Sequence, residues 1–247
     1  MRSIRLAWVI AKKDVRIYYA KGPVLIFGVL FPASLFLAFA IGRPGQPADL
    51  APGLIAITLF FTTSAVSPAI PPWETQARTL ERLLCAPLSV PTILGGDVLA
   101  SFLFGSAISL VPVGLATLAL GAGVAHGLEL AAGFILSAMC FATLGILLAS
   151  PPTDKPSEIM MLSNLVRLPL IFFSGVFVPI EQLPAWGRWI ASVSPLTHCT
   201  ELLRDGLGQR THFGLAFSLL ALIGFTVIFW GASVYLHQRN MARRVAA

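Results

Sequence analysis

Six apolar runs constrain this chain more than any other feature. They lie near residues 22–42, 51–71, 93–121, 130–149, 159–178 and 213–236, and the only charges inside them are Asp97 and Arg167. Each reaches the roughly 20 residues that a helix needs to cross a hydrocarbon core. The third exceeds one crossing and is expected to tilt or to run past the bilayer. With 56% hydrophobic and 11% charged residues, the chain falls well below the approximately one-quarter charge of a soluble domain. A transmembrane barrel would instead need strands of about ten residues with alternating hydrophobicity. The expected fold is an all-α integral membrane protein with six transmembrane helices, built as one domain over residues 1–247.

Before the first run stands MRSIRLAWVIAKKDVRIYYAKG. On a helical wheel Arg2, Arg5, Lys12, Lys13 and Arg16 share one arc, and Ile4, Trp8, Ala11, Val15 and Tyr18 share another face. This pattern predicts a basic amphipathic helix over 1–21 lying in the membrane interface. The AFA at 38–40 resembles a signal cleavage site, but both the basic segment and the apolar run are too long for a signal peptide. With the N-terminus inside, the inner segments carry twelve Lys and Arg and the outer segments four. That bias places both termini in the cytoplasm and the protein in the cell membrane as a multi-pass chain. The net charge of +6 is explained by the same flanks, so nucleic acid is not expected as a partner. Cys85, Cys140 and Cys199 are scattered singly, and no metal site is expected.

One stretch interrupts this apolar chain. ETQARTLERLLCAPLS, residues 74–89, places Glu74, Arg78, Glu81 and Arg82 on one arc, beside an apolar arc of Ala77, Leu80, Leu83, Leu84 and Leu88. Glu74 and Arg78 have the favourable (i, i+4) order. Pro71 and Pro72 precede the stretch, and Pro87 and Pro91 end it. The expected element is a short amphipathic helix over 72–92 on the cytosolic membrane face.

Two segments carry a family resemblance. TLERLLCAPLS resembles the cytosolic T-L-E-x-L-x-x-x-P-[LV]-S segment of ABC-2 type transporter permeases. Far downstream, Phe172, Ser174, Gly175, Val176, Phe177, Pro179, Leu183, Pro184 and Trp186, then Ser194, Pro195, Leu196, Thr197 and Arg204, match the second conserved segment of that family. The nearest relatives in kind are drug-resistance and nodulation-factor export permeases. The resemblance implies that 74–89 is a coupling helix resting on a separate ATP-binding subunit, with Glu74, Arg78, Glu81 and Arg82 toward that partner. It also implies that two permease copies pair as a homodimer with two ATP-binding subunits. The first and fifth spans would meet at the dimer centre, and substrate would leave the cytoplasm by alternating access.

Residues 179–208 read as two short helices broken at Pro195, with Ser194 at the N-cap position. Neither piece can cross a membrane, and Trp186 and Trp189 suit an interface. A re-entrant helical hairpin at the outer end follows, with Ser174, Gly175, Pro179 and Pro195 as its gate segment or as a structural cap. Arg167 lies near mid-span, where charge costs about 2.5–3.5 kcal/mol on insertion scales. It either serves the translocation path or snorkels to the interface. Phe172 and Phe173 are further path candidates, unless the clustered phenylalanines only pack or face lipid.

There is no G-x-x-x-x-G-K-[ST], H-E-x-x-H or G-x-S-x-G in the chain. The protein is therefore expected to be no enzyme and to carry no cofactor itself, with ATP bound by the partner subunit. Expected cargo is hydrophobic or amphiphilic: a drug, a lipid or a glycoconjugate. An ion-gradient-driven transporter would need intramembrane acids or histidines, and the spans offer only Asp97 and Glu129, both at boundaries. A non-transporting membrane assembly subunit is the third reading.

Overall fold

A computed structural model describes residues 2–19, 30, 34, 47–79, 88–118, 121–153, 155–177, 180 and 183–245. Among these residues the structure is helical and has no strand. The first expected span, 22–42, lies almost wholly outside the described residues.

Helix α1, Arg2–Asp14, is followed by a π-helical turn, Val15–Tyr19. The sequence pattern places Trp8 and Tyr18 on one face, but the structure separates them. Ile10, Ala11, Tyr18 and Tyr19 turn inward, while Trp8 is exposed. A π turn takes more residues per revolution, and it swings both tyrosines under the bundle. The inward side of α1 lies along α4, Val90–Leu118.

Helix α2, Ala51–Ser64, is apolar all round, and every one of its residues is buried. A helix with no polar stripe belongs in a core. It is enclosed by α4, by α5 (Gly127–Leu148) and by α8 (Pro195–Gly206). Its hydroxyls are satisfied on their own helix: Thr58 donates to Leu54 O at 2.8 Å, and Thr63 and Ser64 donate to Leu59 O and Phe60 O at 2.6 Å. Thr62 additionally meets Ser109 of α4 at 3.0 Å. The α2–α4 crossing is close because α4 presents Gly105 there, where a Cβ would stand 2.8 Å from the Thr63 backbone. Small residues at such crossings are the usual device of membrane helices.

After Ser64 the helix breaks into a 3-10 turn, Ser67–Ala69, and resumes as α3, Ile70–Gln76. Together these pieces form a 26-residue span, Ala51–Gln76. The spans expected at 93–121, 130–149 and 213–236 correspond to α4, α5 and α9, Leu215–Val245. Among the described residues four helices are thus long and apolar enough to cross a membrane. The expected fifth span is shorter than its run: α6, Pro156–Phe172, has 17 residues, or about 25 Å at 1.5 Å per residue. Gly175, in the left-handed region at φ 73°, turns the chain after it. Helices α7, Ala185–Ser192, and α8 follow, the first exposing Trp186 and Trp189 and the second almost entirely buried.

Candidate functional site

At the α1 end of the bundle, charges that the sequence scatters over 84 positions converge. Lys13 lies 3.0 Å from Asp14 Oδ1 and forms an ion pair with Glu74. Asp14, Glu74 and Asp97 are all buried. Tyr18 stacks on Trp73, with ring centroids 5.6 Å apart, and the Lys13 ammonium lies 5.9 Å from the Tyr18 ring. Tyr19 Oη meets Ser101 Oγ at 2.6 Å, and Ser101 donates to Asp97 O at 2.8 Å. Burial works against the Lys13 charge, but Asp14 and Glu74 beside it outweigh that and raise its pKa above the ordinary lysine value. A raised folded-state value keeps this contribution intact below about pH 10. Lys13 is therefore charged throughout the neutral range.

This corrects the expected charged helix. Glu74 does not pair with Arg78 and does not stand on an outward face. It is 3% exposed and bound to α1. Helix α3 ends at Gln76, and Arg78 is exposed with φ 53°, a left-handed conformation that non-glycine residues seldom adopt. Glu81 and Arg82 lie outside the described residues. The chain re-enters at Ser89, whose carbonyl accepts the Thr92 N–H at 2.9 Å to start α4, with Pro91 in the first turn where its missing N–H costs nothing.

Arg167 does not snorkel. It is 1% exposed, and its Nη2 donates to the Ser64 carbonyl at the break in the second span. Phe172 is exposed, and Phe173 packs edge-on against Trp186 at 5.9 Å. These three path candidates therefore do not line one surface within the chain.

At the opposite end the gate segment is held from α8. Arg204 Nη2 donates to Gly175 O at 2.9 Å. Ser174 Oγ donates to Ile171 O at 2.7 Å. The Val176 carbonyl lies so close to Gly53 that a Cβ there would be 3.2 Å away. Pro195 opens α8 behind Ser194, as expected, but the Ser194 side chain makes no cap; its carbonyl accepts the Thr197 N–H at 3.1 Å instead. Pro179 lies outside the described residues. Sequence reasoning missed Glu201, which is buried, accepts the Phe213 N–H at 2.8 Å and the His212 N–H at 2.5 Å, and pairs with Arg204. A carboxylate shortly before the turn at Gly206 and Gly208 was the available signal. His126, Glu129 and Asp205 also gather, with one donor atom each within 4.8 Å. They stand half-buried or exposed where His126 N donates to Gly206 O at 3.1 Å.

Glu74→Gln keeps an acceptor but removes the charge opposite Lys13. It is expected to cost about 1–2 kcal/mol, since Asp14 still partners the ammonium. Thermal denaturation, with protease access to residues 5–19, measures the loss.

The geometry therefore has a tied end at α1, a broken central span and a clamped turn at the opposite end. The sequence profile of the ABC-2 type transporter family matches residues 5–208 of this chain. The chain is 29% identical over 222 residues to Nodulation protein J of Sinorhizobium fredii, covering 86% of this chain and 82% of that relative. It is 27% identical over 229 residues to Nodulation protein J of Bradyrhizobium diazoefficiens, covering 88% and 83%. A shorter similarity, 26% over 111 residues, links it to a daunorubicin resistance ABC transporter permease of Streptomyces coeruleorubidus, over 44% of this chain and 37% of the relative.

Proposed function

Since the chain belongs to the ABC-2 type transporter family and is a transmembrane ABC transporter permease, we propose that it is the membrane half of an ATP-driven exporter that moves a hydrophobic or amphiphilic substrate out of the cytoplasm. Two copies pair as a homodimer, and each rests on an ATP-binding subunit that hydrolyses the nucleotide. The substrate crosses between the two copies by alternating access. Both termini and the segment after α3 face the cytosol, as the charge bias requires.

One observation carries this reading. The segment resembling the family's coupling helix follows directly on α3, and α3 continues the wholly buried α2. A push delivered there by a cytosolic partner acts on the centre of the bundle, which is how rigid-body motion is transmitted between packed elements. The ion pair of Lys13 with Glu74 joins α1 to the same lever.

The reading is tested by reconstituting the permease with its phosphate-loop ATPase and measuring ATP hydrolysis against daunorubicin, phospholipids and a lipid-linked oligosaccharide. One class is expected to stimulate hydrolysis and to accumulate in inside-out vesicles with ATP. Transport driven by a proton gradient without ATP would replace the exporter by the ion-coupled alternative.

A further inference from the structure

We propose that Arg167 is a positioning residue: a detachable cap, supplied by α6, that holds the break in the second span as a latched hinge. The argument begins with Pro68. In a continuous helix the carbonyl of residue 64 accepts the N–H of residue 68. Pro68 has no N–H, so the Ser64 carbonyl is orphaned inside an apolar bundle, where an unsatisfied backbone group is costly. Other breaks in this stretch are repaired locally. Ile70 N–H serves Ser67 O, and Ala69 N–H serves Val66 O at 3.0 Å. For Ser64 O the donor is Arg167 Nη2, 103 residues away and 1% exposed.

A basic side chain at a helix C-terminus is favoured by the free carbonyls and by the helix dipole. Here it explains a buried arginine that forms no ion pair among the described residues. It also explains why the cap is separable. A donor within the helix moves with the helix, whereas one on α6 can let go. Gly145 of α5 sits against the break, where a Cβ would lie 3.1 Å from Ser64 Cα and O. Kinks of this kind arise at prolines with side-chain insertion into the helical ladder. The stretch beyond the break, Ile70–Gln76, leads into the segment assigned to coupling, so opening the latch would let α3 swing relative to α2. That transport uses this movement rests on the permease reading; the latch itself does not.

A double-mutant cycle on the full-length permease in nanodiscs tests it without any partner. Arg167→Leu and Pro68→Ala are made singly and together, because an alanine at position 68 restores the N–H that Ser64 lacks. The effect of Arg167→Leu on the thermal midpoint is expected to differ by about 5 °C between the parent and the Pro68→Ala background, the size expected when residues share one hydrogen-bonded site. Arg167→Leu should also speed amide exchange roughly tenfold at residues 65–67 and 69, with Arg167→Lys restoring most of the protection. The sign of the single substitution is immaterial, since removing a buried charge can offset the lost bond. Additive midpoints, or faster exchange spread evenly along α2 and α6, would overturn the latch and leave Arg167 a general packing residue. Failure of the ATPase to stimulate in the reconstituted complex would sink the exporter reading and leave this cycle standing.

Discussion

Gly105→Leu is expected to prevent the permease from accumulating as a folded protein. At that crossing the nearest backbone atoms are the Cα and N of Thr63, 2.8 Å from where a Cβ would sit. No rotamer change relieves a clash with backbone. Helix α2 cannot retreat, because α5 and α8 close its other sides. Moving the helices apart would also break the contact of Thr62 Oγ1 with Gly105 O at 3.2 Å and with Ser109 Oγ at 3.0 Å. Overpacking ordinarily costs about 1–3 kcal/mol where side chains can yield. Here only helices can, so the loss is expected at or above about 3 kcal/mol, or roughly 6–12 °C in thermal midpoint for a chain of this size. Gly114→Leu on the same helix is the control, since a Cβ there meets nothing within 4 Å. Size-exclusion of detergent-extracted protein and a melting curve give the answer. A Gly105→Leu midpoint within about 2 °C of the parent would show that the crossing is looser than its geometry states.

Glu81→Lys is expected to separate the permease from its ATPase. The proposed coupling role of TLERLLCAPLS assigns Leu80, Leu83 and Leu84 to the membrane domain and Glu81, Arg78 and Arg82 to the cytosolic subunit. The structure removes Glu74 from that set, because it belongs to the α1 tie, and leaves Arg78 exposed beyond the end of α3. Reversing a charge in a desolvated, hydrogen-bonded contact costs about 2–5 kcal/mol, so co-purification of the ATPase and transport should both fall more than tenfold. The permease should melt unchanged, because the proposed site is a cytosolic surface. Leu84→Ala should do the opposite, lowering stability by up to about 1.5–3 kcal/mol where the side chain is fully buried while leaving charge complementarity in place. Full assembly and full transport by Glu81→Lys would reduce that face to solvated surface.

What could be read from the sequence follows the range of each interaction. Apolar runs and prolines act within a few residues, so the starts of α2, α4, α5 and α9 and the Ser194–Pro195 start of α8 stand within a few positions of where the apolar runs and prolines put them. Glu74 departs from expectation because an (i, i+4) neighbour is visible in a sequence, while a lysine 61 positions earlier is not. Arg167 stands out as an anomaly, but its partner is a carbonyl, which every residue has. The missing clue is Pro68, which marks Ser64 as the acceptor without saying which donor comes. The amphipathic pattern of α1 is correct in kind, yet the π turn at Val15–Tyr19 rotates its aromatic face.

The complete burial of α2 has a consequence for how this protein is made. Ala51–Ser64 leaves the ribosome before α4, α5 and α8, the helices that enclose it. Chains emerge at about 5–20 residues per second, so for several seconds this segment lacks the helices that enclose it. Its apolar circumference suits that interval, because its threonines and serine bond back to their own helix. The Ser64 carbonyl is different: its donor, at position 167, is synthesised about a hundred residues later. The nascent span must therefore wait in the bilayer with an open joint, and the order of synthesis makes α6 the element that ends that wait.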